Sequence, residues 1–195
     1  MSFVLKVDNE ISLRLLEPHH AEELYAVVDA NREHLGRWEP WPSVTNSAED
    51  IRAYATRSLQ AFADHKAVSL SILLEGKVVG NTGWTDWKDE ADAMGVRFAS
   101  ADIGYWIAAD YEGRGIVTRC VAALIRHAFE EYSMKRLTIR AQPENEKSWA
   151  VAERLGFKRE GTMRSVCQFN GKWIDLHLYA LLAEDEADDD GEVRR

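Results

Sequence analysis

The stretch from Asp102 to Glu131, DIGYWIAADYEGRGIVTRCVAALIRHAFEE, most constrains what this chain can fold into. Ile103, Tyr105, Trp106 and Ile107 form a dense β-branched and aromatic run that predicts a strand. Ile116, Cys120, Val121, Leu124, Ala128 and Phe129 recur at helical spacing and predict a helix. Between them stand Glu112, Gly113, Arg114 and Gly115. Glycines there let backbone approach a ligand closely. A helix opening near Gly115 also turns unpaired N–H groups and the positive end of its dipole toward the turn. That combination suits an anion, phosphate above all, although the same spacing serves equally as a tight turn.

Two phosphate-binding signatures are absent. A Walker A loop needs Gly-Lys followed by Ser or Thr, and no such step occurs. The dinucleotide fingerprint needs a third glycine, where Thr118 stands.

A length of 195 residues suits one domain with a substantial core, and the composition is that of an ordinary soluble α/β protein. The start, MSFVLKVDNEISLRLL, alternates like a strand and carries no export-signal pattern, and no run of about 18 apolar residues predicts a membrane span. Two cysteines, Cys120 and Cys167, without metal-ligand spacing fit a reducing cytoplasm and imply no metal; Cys120 falls on the apolar helix face. The net charge is -9, of which the segment 183–195 supplies -5, leaving -4 for the body and no basic surface for nucleic acid. Residues 1–182 are read as a single domain. Residues 183–195, AEDEADDDGEVRR, are read as an acidic tail without fixed structure, either a solvated end or an attractor of a basic substrate.

In chain order, a strand around Ile11 to Leu16 precedes Pro18 and a helix with Ala21, Leu24, Tyr25 and Val28 on one face. The segment NREHLGRWEPWP sets Trp38 and Trp41 among prolines, either as packing or as a wall of an acceptor site. Asn46 with Glu49 resembles a capping box opening a helix with Ile51, Tyr54, Leu59 and Phe62. Val68 to Leu74 and Val78 to Trp87 read as a hairpin about Gly76, in which the glycine-rich step Gly80 to Thr85 could admit a substrate to the backbone. A polar connection from Lys88 to Ala93 is expected to lead to a pair of strands, Met94 to Phe98 and Asp102 to Ala108. Past the central helix, Arg136 to Ala141 reads as a buried strand. A helix entered at Pro143 to Asn145 and closed by Gly156 follows, then a long hairpin about Asn170-Gly171.

The central segment resembles motif A of the GCN5-related N-acetyltransferases, the GNAT superfamily: a strand, then Gln/Arg-x-x-Gly-x-Gly/Ala, here Glu112-Gly113-Arg114-Gly115-Ile116-Val117. Glu112 replaces Gln or Arg, and Val117 replaces a small residue. The second strand-to-helix unit is similar to motif B, with Asn145, Ser148 and Leu155-Gly156-Phe157 in register. The spelling GYWI…EGRGI-x-T and the NRExL-x-x-W-x-x-W pattern resemble the RimJ/RimL-like branch that acetylates ribosomal-protein N-termini, over about Ile11 to Leu182. The resemblance implies an α/β fold (an α+β mixed sheet): a central, mostly antiparallel twisted sheet flanked by helices, with a splayed parallel strand pair at the CoA site. It implies acetyl-CoA as cosubstrate, an acceptor amine such as a basic ribosomal-protein N-terminus, no nucleic acid or membrane partner, and a homodimer.

It also implies site roles. Gly113 to Thr118, with Glu112, Arg114, Ile116 and Val117, would hold the pyrophosphate; backbone at Ile107 and Ala108 would pair with the pantetheine amides; Asn145 would hold the pantetheine or fix the turn. Acetyl transfer to an amine needs a base for the ammonium, polarisation of the thioester carbonyl and a proton for the departing thiolate. Asp102 occupies the position of the family's basic glutamate, with Asp86 and Glu39 as rivals. The phenol that relatives often place four residues after the motif B serine is replaced by Ala152; the resemblance to the ribosomal-protein serine acetyltransferases implies that Ser148 is the donor to sulfur, with a serine on a helix surface as the other reading. Trp38, Trp41, Trp84 and Asp86 complete the expected acceptor side. A small amine, antibiotic or aminoacyl toxin as acceptor, and a non-catalytic acyl-CoA sensor, remain as other readings.

Overall fold

The computed structural model describes residues 3–91 and 94–187. Eight strands form one sheet: β1 (Val4–Lys6), β2 (Ile11–Leu15), β3 (Val68–Leu74), β4 (Lys77–Ala91), β5 (Arg97–Ile107), β6 (Arg136–Ala141), β7 (Lys158–Phe169) and β8 (Lys172–Leu182), in the spatial order β1-β2-β3-β4-β5-β6-β8-β7. Helices α1 (Ala21–Ala30), α2 (Arg32–Gly36), α3 (Ala48–Ala63), α4 (Ile116–Glu130) and α5 (Glu146–Arg154) flank it. Tyr105 packs with the cluster of α4 and α5, and its neighbour Trp106 with the cluster of α1 and α3. Successive strand residues point to opposite faces, so the two clusters cover the two sides of the sheet. No helix among the described residues is long and apolar enough to cross a membrane.

The sheet is antiparallel except between β5 and β6. These two pair only over Ser100–Asp102 against Arg136–Thr138. Beyond those residues β5 stays bonded to β4 as far as Ile107, and β6 stays bonded to β8 as far as Ala141. The strands therefore part after Asp102 and Thr138, leaving a wedge whose inner edges lack a strand partner. A bulge in β4 lies beside the fork: Thr85 pairs with Asp102 and Lys88 with Ser100, with Asp86 between them at φ +50°.

Four expectations need correction. The capping box of α3 is made by Ser47 and Asp50, one residue after the expected pair: Ser47 has the extended backbone of an N-cap, its Oγ accepts the Asp50 N–H, and Asp50 Oδ2 accepts the Ser47 N–H. The segment from Lys88 is strand, paired with residues 97–100, so β4 and β5 form one long hairpin held by its ladder rather than by burial. Gly80 and Gly83 admit neighbouring strands rather than a ligand, since an added Cβ would lie 2.3 Å from the Trp106 carbonyl oxygen and 1.9 Å from that of Val68. The tail begins with a helical turn, α6 (Ala183–Ala187), tied back by Asp185, which pairs with Lys158 and accepts the Leu182 N–H; residues 188–195 lie outside the described residues.

Candidate active site

The wedge opens into a cleft of about 1520 Å³ lined by the ends of β5 and β6, the loop before α4, the start of α5, the segment after α2 and part of the β7–β8 hairpin. Its loop wall is made of main chain. Gly113 and Gly115 have φ of +71° and +69°, in the left-handed region that favours glycine. Among the described residues, no group accepts the N–H of any residue from Gly113 to Thr118. A helix ordinarily leaves its first N–H groups without an intrahelical partner, and here the loop before it adds more. The expected anion cradle is thus present as geometry: oriented donors at the positive end of α4, facing open space.

Side chains around the cradle add positive charge. Arg154 reaches Thr118 Oγ1 at 3.3 Å, and Arg114 donates to the Asp110 carbonyl while lying over the Tyr111 ring. No acid among the described residues pairs with Arg154 or Arg114. Glu112, the acidic departure from the motif, is held by Lys147 at 2.6 Å with His34 at 3.6 Å, so its charge is offset locally. A phosphate placed here would meet donors and cations rather than a bare carboxylate.

Asn145 and Ser148 stand at the start of α5. The Asn145 side chain caps the helix by accepting the Ser148 N–H at 3.3 Å, which supports the turn-fixing half of its expected role. Ser148 faces Tyr105 of β5. The Tyr105 hydroxyl donates to the Ser148 carbonyl at 2.7 Å, and the Ser148 hydroxyl reaches the phenol oxygen at 3.4 Å. Burial pushes the phenol up to about 12, so it is a neutral donor at ordinary pH. Tyr105 thus brings a phenol into the cleft beside Ser148 from the strand, although the helix position that carries one in relatives is the buried Ala152.

The three proposed bases differ in their surroundings. Asp102 lines the cleft at the fork but is tied by Thr138 and by an ion pair to Arg140. Burial raises its pKa, while Arg140 opposes that shift. Asp86 is largely exposed on the bulge, faces the same guanidinium at 3.5 Å and is not part of the cleft wall. Glu39 is half-buried in the wall, and burial raises its pKa against a lowering hydrogen bond from the Trp41 side chain.

Other expected residues separate. Trp38 lines the cleft, and its carbonyl accepts from Gln142 Nε2 at 3.1 Å. Trp41 lies outside the lining and packs on Trp106 at 5.7 Å between ring centres. Trp84 is 1% exposed in the core, edge-on to Trp87 and Tyr132, and does not reach the cleft: at its position in β4 the side chain points to the covered face. Ile107 and Ile116 line the cleft. Ala108 does not, since it is buried, gives its N–H to Val79 and takes that of Tyr111 as the chain leaves the strand. Before it the inner edge of β5 has no strand partner, and His34 Nε2 lies 3.2 Å from the Ile107 carbonyl. His34, Gln142 and Arg140 carry no sequence signal of a site role, because each reaches the site only through an element distant along the chain, and Tyr105 reads in sequence only as a strand residue. Away from the cleft, Glu17, His19 and His20 bring ligand-type atoms within 4.8 Å of one another.

Comparison with known proteins agrees with this geometry. The family model described as "Acetyltransferase (GNAT) domain" matches residues 10–158. A Bacillus subtilis protein named putative ribosomal N-acetyltransferase YdaF is 36% identical over 181 residues, covering 92% of this chain and 95% of the relative. The Escherichia coli ribosomal-protein-serine acetyltransferase is 25% identical over 95% of this chain and all of its own length. Among solved structures, the microcin C7 self-immunity acetyltransferase MccE in complex with acetyl-CoA and AMP is 29% identical, with a TM-score of 0.84 over 91% of this chain and 95% of that one.

Proposed function

Because this chain belongs to the GNAT acetyltransferase family and is an acetyl-CoA-dependent N-acetyltransferase, we propose that its acceptor is the N-terminal amine of a ribosomal or similar protein, acetylated by direct attack in a ternary complex. The observation that carries the site assignment is the run of N–H groups from Gly113 to Thr118 with no acceptor among the described residues, set against a wedge that holds Ser148 and Tyr105. Similarity to proteins named as ribosomal N-acetyltransferases supports the acceptor class. Ribosomal proteins are made in the cytoplasm, which is where this reading sets the reaction.

Bound acetyl-CoA supplies the acetyl group as a thioester. The chain's part is to fix it and to manage protons. Main-chain donors from Gly113 to Thr118 hold the pyrophosphate, with Arg114 and Arg154 beside them. The edge of β5 that lacks a strand partner aligns the pantetheine. Tyr105 fixes the serine by donating to its carbonyl, and the Ser148 hydroxyl turns from the phenol oxygen to donate a hydrogen bond to the sulfur as negative charge develops. A serine hydroxyl is too weak an acid to give up its proton outright, so its service is a hydrogen bond to the developing charge.

The test is mass spectrometry of N-termini after incubation with acetyl-CoA and a ribosomal-protein extract, beside a panel of small amines. Acetylated protein N-termini support the reading. Turnover confined to a small amine, antibiotic or aminoacyl toxin would replace it.

A further inference from the structure

We propose that Glu39 receives the proton of the incoming ammonium and sets the site's demand for a cationic primary amine. The inference rests on the acetyl-transfer reading and assigns the base within it.

His34 Nε2 faces the Ile107 carbonyl, at the end of β5, at 3.2 Å; the Trp38 carbonyl takes a hydrogen bond from Gln142, just past the end of β6. The chain from α2 onward therefore spans the open end of the wedge and is pinned to both diverging strands. Glu39, next in sequence to Trp38, is held by its own N–H on the Leu35 carbonyl at 3.0 Å. Glu39 itself belongs to the wall, on the side where the two strands stand farthest from their fork.

Charge then separates the candidates. Three carboxylates line the cleft: Glu39, Asp102 and Glu112. Asp102 has Arg140 and Thr138; Glu112 has Lys147 and His34. Glu39 has no cation paired with it among the described residues, and the one side chain that lowers its pKa is the neutral Trp41. No charged side chain contributes to its raised pKa, which comes from burial. A half-buried carboxylate without a counter-ion is costly, and an ammonium beside it removes that cost. The same environment brings its proton affinity toward that of a base working near neutrality.

The proton balance closes. The ammonium gives one proton to Glu39; the neutral nitrogen forms the C–N bond to the acetyl carbon; the C–S bond breaks; and the second proton lost by nitrogen ends on the CoA sulfur. Glu39 returns its proton to solvent after the amide leaves.

Glu39→Gln keeps the shape and removes the basicity. With a serine-initiated peptide as acceptor, kcat/KM should fall by about 10²-fold at pH 7, within the ordinary range for loss of a positioned base. The deficit should shrink above about pH 8, where the peptide α-amine has already lost its proton. Acetyl-CoA affinity by calorimetry should stay unchanged, and Glu39→Asp should be intermediate. Asp102→Asn should keep the wild-type pH profile. A Glu39→Gln enzyme equal to wild type from pH 6 to 9, or one with a deficit independent of pH, overturns the assignment while leaving acetyl transfer intact. If the wild-type protein binds acetyl-CoA and acetylates neither peptide nor small amine, the underlying reading fails and takes the assignment with it.

Discussion

The Tyr105 hydroxyl donates to the carbonyl of Ser148 at 2.7 Å, and the Ser148 hydroxyl lies 3.4 Å from the same phenol oxygen. One residue is on β5 and the other at the start of α5, so this contact closes the wedge from its two walls. Tyr105→Phe should lower kcat by about tenfold, the worth of a single hydrogen bond, with little change in acetyl-CoA affinity. A difference absorbance titration of wild type against the variant should show one phenol ionising at about 12, because burial disfavours the phenolate. A phenol titrating near 10 instead would mean that Tyr105 is open to water.

Ser148→Ala should act on kcat, by about 10²-fold, far more than on KM for acetyl-CoA, since its donor matters chiefly as sulfur charge develops. Steady-state kinetics with varied acetyl-CoA separates the two. Equal losses in both would mark Ser148 as a structural serine at the Asn145 cap.

Gly115→Glu should abolish acetyl-CoA binding by calorimetry, placing a negative charge at the start of α4 where the pyrophosphate is assigned. Gly115→Ala is the control. At φ +69° it carries a strain of about 1–2 kcal/mol, yet its Cβ meets nothing within 4 Å. It should therefore lose stability and keep most of its affinity.

The start of α3 gives a stability test. Ser47→Ala removes the acceptor for the Asp50 N–H and should cost about 1 kcal/mol, lowering the melting temperature by about 2–4 °C in a chain of this length. Asn46→Ala, at the position the sequence pattern favoured, should cost far less. Its backbone contacts, the N–H on Asp50 and the carbonyl on Tyr25, survive the change. Thermal melts of the two variants decide between the caps.

What the sequence determined by itself was local. The strand before Gly113, the helix after Gly115, the Asn145 cap and the turns at Gly76 and Asn170-Gly171 are each specified within a few residues by periodicity, glycine conformation and capping, and all appear in the structure. The motifs also sufficed to indicate the family. Boundaries governed by ladder pairing were less legible: the polar residues from Lys88 look like a connection, because a strand exposed on both faces has no apolar alternation to announce it. Only the tertiary structure decided which side chains meet. Trp84 and Trp38 are alike as sequence signals, yet the core covers one and the other lines the cleft. Asp102, Asp86 and Glu39 are equal as acids until Arg140 arrives from β6 to face the first two. Tyr105 reaches Ser148 across 43 positions of sequence because β5 and β6 pair at Asp102 and then diverge. The physical reason is that backbone conformation follows from neighbours along the chain, whereas burial, counter-ions and donor contacts are set by strand order and by where two strands part.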